Sequence, residues 1–248
     1  MASGKIRLNT DTNFLKLVAI AAMLVDHLGA RVFPQYGEMR IIGRIAFPVF
    51  AYCITVGCVY TRNIFKYALR MGVMALLVQP LYATAMGHAP KMAFDWAGSF
   101  MRPDLIWQHY YAPRPSILFS LLLGILLIWT IRDQKYILTA AVFAVIWYVQ
   151  GSLDYGLNGI LLMLLFYAFR EKPATSLVWV AGFMIWWGVP SIQRQIPEQF
   201  PQYVSTQFYA LLALPLIYIP FNTGIKVNKY LFYAFYPAHL ALIYLLTM

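Results

Sequence analysis

Residues Asn13 to Phe33 form an apolar run long enough to cross a bilayer, yet Lys16, Asp26 and His27 lie inside it. About 20 apolar residues match the roughly 30 Å hydrocarbon layer of a membrane. An ionisable side chain at mid-depth costs at least ~2.5 kcal/mol on insertion scales, so such groups face a polar cavity or a partner rather than lipid. Lys16 and His27 are eleven positions apart, which on a helix is three turns with roughly 20° of drift and a rise of about 16 Å. The stripe Lys16–Ile20–Met23–His27–Arg31 therefore occupies one face, and it is expected to line a polar passage. Asp26 sits about 100° further round, on the side of Ala19, Ala22 and Ala30.

The rest of the chain sets the class. With 61% apolar and 11% charged residues in 248, a water-soluble domain would lack charges to cover its surface. The apolar runs are too long and too rich in Leu, Ile and Phe for porin-type strands of alternating polarity. An all-α polytopic membrane protein is expected, a bundle of about nine transmembrane helices in a single domain over 1–248. Their places are about 13–33, 40–60, 64–86, 115–131, 135–150, 153–169, 173–190, 204–220 and 229–247. The fifth and sixth are short and separated only by Gly151-Ser152, so they also fit a hairpin that stops short of crossing. The first dozen residues are polar and no small-residue cleavage site follows a short apolar core, so the first helix is expected to act as its own insertion signal.

The net charge of +10 does not point to nucleic acid, because the basic residues are scattered at helix ends. With the amino terminus in the cytoplasm, twelve Lys and Arg fall inside and seven outside, the bias expected of inner loops. The two cysteines, Cys53 and Cys58, stand about 140° apart on a helix and neither pair nor chelate together. No metal site, Gly-rich phosphate loop or nucleophile elbow is expected.

Several further charges fall within or beside the spans. Arg40 and Arg44 are one turn apart ahead of Pro48, which weakens the helix; Arg44 either snorkels to headgroups or faces a polar cavity. Arg62, Lys66 and Arg70 make a basic stripe at the cytoplasmic mouth, which is plain inner-side charge or a phosphate site. Asp154 is a helix cap, or orients a histidine or pairs an arginine. His239, behind Pro237 on the last span, is either a packing residue or a second buried ionisable site. The loop over 87–114, with Trp96, Trp107, Tyr110, Tyr111, His88 and His109, is expected to lie at the outer interface. Asp11 or Asn13 caps the first helix.

At Leu15 to Gly29, Gly43 to Ala51, Thr61-Arg-Asn63, Asp154-Tyr-Gly156 and Phe232 to Leu240, the chain resembles the TraX proteins of F-type conjugative plasmids, from its first span to its last. That resemblance implies a bacterial inner-membrane pilin N-acetylase, which acetylates the amino-terminal alanine of processed pilin. It also implies acetyl-CoA as donor and a membrane-embedded pilin as partner. TraX is in turn similar to a wider membrane acyltransferase superfamily whose first span carries a basic residue, ten intervening residues and a histidine. Lys16 and His27 match that pattern, so the catalytic role carries over to His27. Many of those relatives have arginine where this chain has Lys16, which keeps the charge and loses a bidentate phosphate contact.

Under this reading Lys16, Arg62, Lys66 and Arg70 hold the CoA phosphates, and His27 takes the proton of the attacking amine or carries the acetyl group. Asp26, Asp154 and His239 are candidate orienting or relay groups, and Arg44 is a candidate partner of the developing oxyanion. Two rival readings are a non-enzymatic scaffold for pilus assembly, and a proton-coupled transporter or flippase with Asp26, His27, Asp154 and His239 as relay.

Overall fold

The computed structural model describes Ile6 and residues 8–89, 114–188 and 206–248. All regular secondary structure among them is helical. Most of the aromatic loop expected over 87–114, His109 included, lies outside the described residues.

Helix α1 (Thr12–Arg31) is followed by α2 (Gly37–Gly43), α3 (Ala46–Tyr60) and α4 (Ile64–Ala85). Then come α5 (Ile117–Arg132), α6 (Tyr136–Val149), α7 (Gly156–Ala168) and α8 (Pro173–Gly188). A 3-10 segment (Thr206–Ala213) runs into the short α9 (Leu214–Tyr218), and α10 (Lys229–Leu246) closes the chain. Three stretches, Thr12–Arg31, Gly37–Tyr60 and Ile64–Ala85, are long and apolar enough to cross a membrane. Helices α6 and α7, of 14 and 13 residues, rise only about 21 and 20 Å.

Two of the nine expected spans are not single helices. The second breaks at Arg44–Ile45, where Arg44 N donates to the Ile41 carbonyl at 3.1 Å and Ile45 N to that of Ile42 at 3.3 Å. Pro48 explains the position, since it has no N–H to offer the carbonyl four residues back, which is Arg44, and its ring crowds that carbonyl. The break thus precedes the proline by one turn, and Pro48 itself sits in the first turn of α3, where a missing N–H does no harm. The eighth span begins with the tighter 3-10 winding before Pro215 opens α9.

By internal packing the chain divides into two compact units, Met1–Val59 with Leu162–Val227, and Tyr60–Leu161 with Asn228–Met248. The boundary falls within α7.

In the first unit Leu15 and Ala19 of α1 and Val49, Tyr52 and Cys53 of α3 are buried. The Tyr52 ring meets Phe166 edge-on at 5.3 Å, and Phe47 meets Trp187 likewise at 6.3 Å. Buried Asn9 fastens the segment ahead of α1: its carbonyl accepts from the Tyr52 hydroxyl at 2.6 Å, and its amide donates to the Leu216 carbonyl at 2.9 Å. Asp11 caps α1 through the Phe14 N–H and accepts from the Thr223 hydroxyl and N–H. The Thr223 hydroxyl, then its N–H, holds the Asp11 carboxyl below the usual carboxylate range, against a small opposing effect of desolvation. That contribution to stability is present at neutral pH and is lost as pH falls through the depressed folded-state value.

In the second unit α4 packs on α5 and α10, and α5 on α6. Gln79 joins α4 to the start of α5, donating to the Arg114 carbonyl at 3.1 Å and accepting from Ser116 N at 2.7 Å. On α6 only Ile146 is buried, while Tyr136, Ile137, Leu138, Phe143, Val145, Trp147 and Tyr148 are exposed. A helix so apolar on its open faces is suited to lipid as solvent.

The Asn9 anchor gives a direct test. Tyr52→Phe keeps the ring contact with Phe166 and leaves a buried carbonyl without its donor, so stability should fall by about 1–2 kcal/mol in detergent unfolding. Wild-type stability in that variant would show that the anchor contributes nothing.

Candidate functional site

The expected stripe on α1 turns into the first unit. Ile20 and Met23 are buried, and Lys16, His27 and Arg31 at either end are partly buried. The Lys16 ammonium lies within electrostatic reach of the buried Cys53 of α3. Between Lys16 and His27 the stripe is filled with packed apolar side chains.

Beside His27, Asp26 holds the densest polar arrangement of the unit. Its Oδ2 accepts from Arg40 Nη1 at 2.6 Å and its Oδ1 from Arg44 Nη2 at 2.8 Å. Arg40 Nη1 also reaches the Asp26 carbonyl at 3.1 Å, and Arg44 Nε donates to the Arg40 carbonyl at 3.3 Å. Asp26 and Arg44 side chains are only 12% and 13% exposed, against 37% for Arg40. Two glycines let the helices approach this closely. A Cβ on Gly29 would lie 2.6 Å from Met39 Cβ, and one on Gly43 would overlap the Asp26 side chain.

Arg44, expected either at the headgroups or as an oxyanion partner, is thus engaged with Asp26. Asp26, expected as a candidate orienting group for His27, has an arginine on each carboxylate oxygen. The i, i+4 spacing of Arg40 and Arg44 was visible in the sequence, but their common acceptor was not, because Asp26 lies across the turn Val32–Tyr36.

The remaining candidates belong to the second unit. Arg62, Lys66 and Arg70 are exposed; Lys66 and Arg70 stand one turn apart on α4, about 6 Å along its axis, and Arg62 lies in the turn ahead of its N-cap. Asn63 caps α4 by accepting from Lys66 N at 2.8 Å, and Arg70 Nε donates to the Lys66 carbonyl at 3.2 Å. Asp154 is exposed in the turn before α7. His239 is buried, its Nδ1 3.0 Å from the Phe235 carbonyl and its ring stacked on Phe235 at 5.3 Å. His88 lies just past α4, its ring 5.8 Å from that of Tyr82. Among the described residues no three His, Cys, Asp or Glu side chains group as a metal site.

Asp26→Asn removes the charge that holds two guanidiniums at little exposure, and should lower stability by about 2–4 kcal/mol. Arg44→Ala should cost less, and Arg40→Ala, at a wetter position, least, about 1 kcal/mol. Thermal unfolding of the three variants in lipid nanodiscs checks the order; an Asp26→Asn protein as stable as wild type would contradict it.

Comparison with known proteins adds an independent view. The chain is 26% identical over 242 residues to a Dichelobacter nodosus protein named probable fimbrial assembly protein FimC, serogroup H1, covering 92% of each chain. It is 29% identical over 173 residues to an uncharacterized protein of Rickettsia prowazekii (strain Madrid E), covering 66% of this chain and 58% of that one. No solved structure matches. The family model described as TraX protein matches residues 11–247, from the cap of α1 to the end of α10, and the chain belongs to the TraX family.

Proposed function

We propose that this protein is a multi-pass inner-membrane N-acetyltransferase, with its amino terminus in the cytoplasm, that transfers the acetyl group of acetyl-CoA to the amino-terminal alanine of a pilin. The observation that carries the reading is the α1 stripe, with Lys16 and His27 at either end of an inward-facing row on the helix that Asp26 fixes. The resemblance at Lys16 and His27 to membrane acyltransferases supports it, as does similarity to a relative named for fimbrial assembly.

The chemistry asks little of the chain beyond positioning and a base. The amine nitrogen attacks the thioester carbonyl carbon, the C–S bond breaks, and the sulfur leaves as CoA thiolate while the nitrogen releases a proton. A neutral imidazole at His27 accepts that proton, a role worth roughly 10²–10⁴-fold in rate; in the acyl-carrier version the same ring nitrogen takes the acetyl group first. In the first unit the Lys16 ammonium offers a point charge to a phosphate. In the second, the exposed Lys66 and Arg70 on the first turns of α4 and Arg62 in the turn ahead of it present cations suited to the several phosphates of CoA. Exposure of all three side chains is the observation that fits them to that ligand.

A scaffold for pilus assembly is the second reading, and the Asp26–Arg40–Arg44 arrangement favours it to the extent that it uses buried charge for helix packing. Mass spectrometry of pilin from cells making His27→Ala protein at wild-type level separates the two. The enzyme reading expects loss of the acetyl mass; fully acetylated pilin would remove His27 from catalysis. Purified protein should also bind CoA with affinity that falls as salt rises, and Arg62→Ala or Arg70→Ala should weaken it several-fold. Unchanged binding in both would leave those residues as inner-side charge alone.

A further inference from the structure

At one end of the second unit a single indole ties the start of α4 to the turn between α5 and α6. Trp129, in the last turn of α5, donates its N–H to the Asp133 carboxylate at 2.7 Å. The Phe65 ring of α4 meets it edge-on at 6.1 Å, and the Lys135 ammonium lies over its face, 5.2 Å from the ring centre. Phe65 and Trp129 therefore mark one level across two helices. A tryptophan with its N–H on a polar partner and its ring against an apolar neighbour is the side chain enriched where membrane meets water. Charge and apolar surface are sorted about that level. Residues 60–72 and 129–138 carry five cations, Arg62, Lys66, Arg70, Arg132 and Lys135, against one carboxylate, Asp133. Counted at 100° per residue from Phe65, the exposed side chains of Leu76, Leu69, Val73, Lys66, Leu77 and Arg70 fall within an arc of about 140° on α4. Along that arc the cations occupy the first two turns, and from Arg70 to Leu77 the exposed side chains are all apolar. Arg70 stands about 8 Å past Phe65 on the axis, yet its Nε donates to the Lys66 carbonyl at 3.2 Å. That bond draws the guanidinium back towards the level of Phe65, the direction in which a long cationic side chain snorkels to headgroups. The turn into α6 repeats the order, with Lys135 followed by the exposed Tyr136, Ile137 and Leu138.

We propose that this end of the second unit is a docking surface for anionic phospholipid, with phosphates on Lys66, Arg70, Arg132 and Lys135 and acyl chains along the exposed row from Phe65 to Leu77. Phosphate is also what Lys66 and Arg70 offer to CoA; what selects a lipid is the hydrocarbon surface on the same arc of α4. A water-soluble phosphate ester would leave that row uncovered, and a neutral lipid would leave the cations unmatched. Cations beside an anionic leaflet gain about fivefold in affinity each, and Asp133, engaged with Trp129, Arg132 and Lys135, offsets only one of the five. The surface rests on the membrane placement proposed above and on none of the acetyl chemistry.

The test titrates the full chain in neutral detergent with phosphatidylglycerol, with phosphatidylcholine, and with glycerophosphoglycerol, the first headgroup without its chains; native mass spectrometry reads the binding. Phosphatidylglycerol should bind at least about tenfold more tightly than phosphatidylcholine, and glycerophosphoglycerol should bind too weakly to measure. Lys66→Gln and Lys135→Gln, both at exposed positions, should each weaken phosphatidylglycerol by about fivefold and leave phosphatidylcholine unchanged; Lys135→Arg should keep the wild-type affinity. Equal binding of the two lipids, or a preference unchanged in both glutamine variants, would overturn the surface. Glycerophosphoglycerol binding as tightly as the lipid would make this a site for free phosphate and overturn it too. The lipid and CoA readings fail separately. Loss of the lipid preference while Arg62→Ala still weakens CoA would sink the lipid surface alone; CoA binding unaffected by Arg62→Ala and Arg70→Ala, with the lipid preference kept, would sink the cofactor role alone.

Discussion

One carboxylate shared by two guanidiniums sets the geometry of the first unit. Removing an ion from water carries a penalty of several kcal/mol after relaxation, which is recovered only where hydrogen bonding is nearly complete. Asp26 meets that condition: each carboxylate oxygen accepts from an arginine, and Arg40 adds a bond to the backbone carbonyl of the same residue. The arrangement also requires α1 and α2 to approach at two glycines, Gly29 and Gly43, where any side chain would intrude. Arg44 is pulled in two ways at once, its guanidinium towards Asp26 and its carbonyl away from a helix that Pro48 cannot continue. The break between α2 and α3 is where both demands are met, and it fixes the helix from which His27 projects.

Much of this was legible from local chemistry. The helical positions followed from run length and apolar content, because a segment without water must satisfy its backbone internally. The α1 stripe followed from the 3.6-residue period, and Asp11 as a cap followed from its place ahead of an apolar run. The exact break in the second span did not follow, since Pro48 marks a weakness but tertiary contacts choose where the chain yields. The partnership of Asp26 with Arg40 and Arg44 was hidden for another reason. Charges on separate helices meet through a turn, and periodicity describes only one helix at a time. Gln79 and Ser116 were passed over because uncharged polar residues in an apolar run look like ordinary packing until their neighbours are known.

The helix lengths bear on how the chain meets a bilayer. Thr12–Arg31 rises about 30 Å, matching the hydrocarbon layer, whereas α6 and α7 fall well short of it. Yet α6 exposes Trp147, Tyr148 and a run of aliphatic side chains, which water would not tolerate over so large a patch. A helix so short and so apolar on its open faces is suited to lipid rather than to water.

Around Asp26 both carboxylate oxygens have donors and the two arginines share one acceptor, which suits the cluster to holding α1 against α2. His27 is partly buried, next in sequence to Asp26, and belongs to a helix held at its cap by Asp11 and near its far end by Asp26. Both anchors act on the backbone of α1, so the position of the imidazole is set by the helix rather than by a loop.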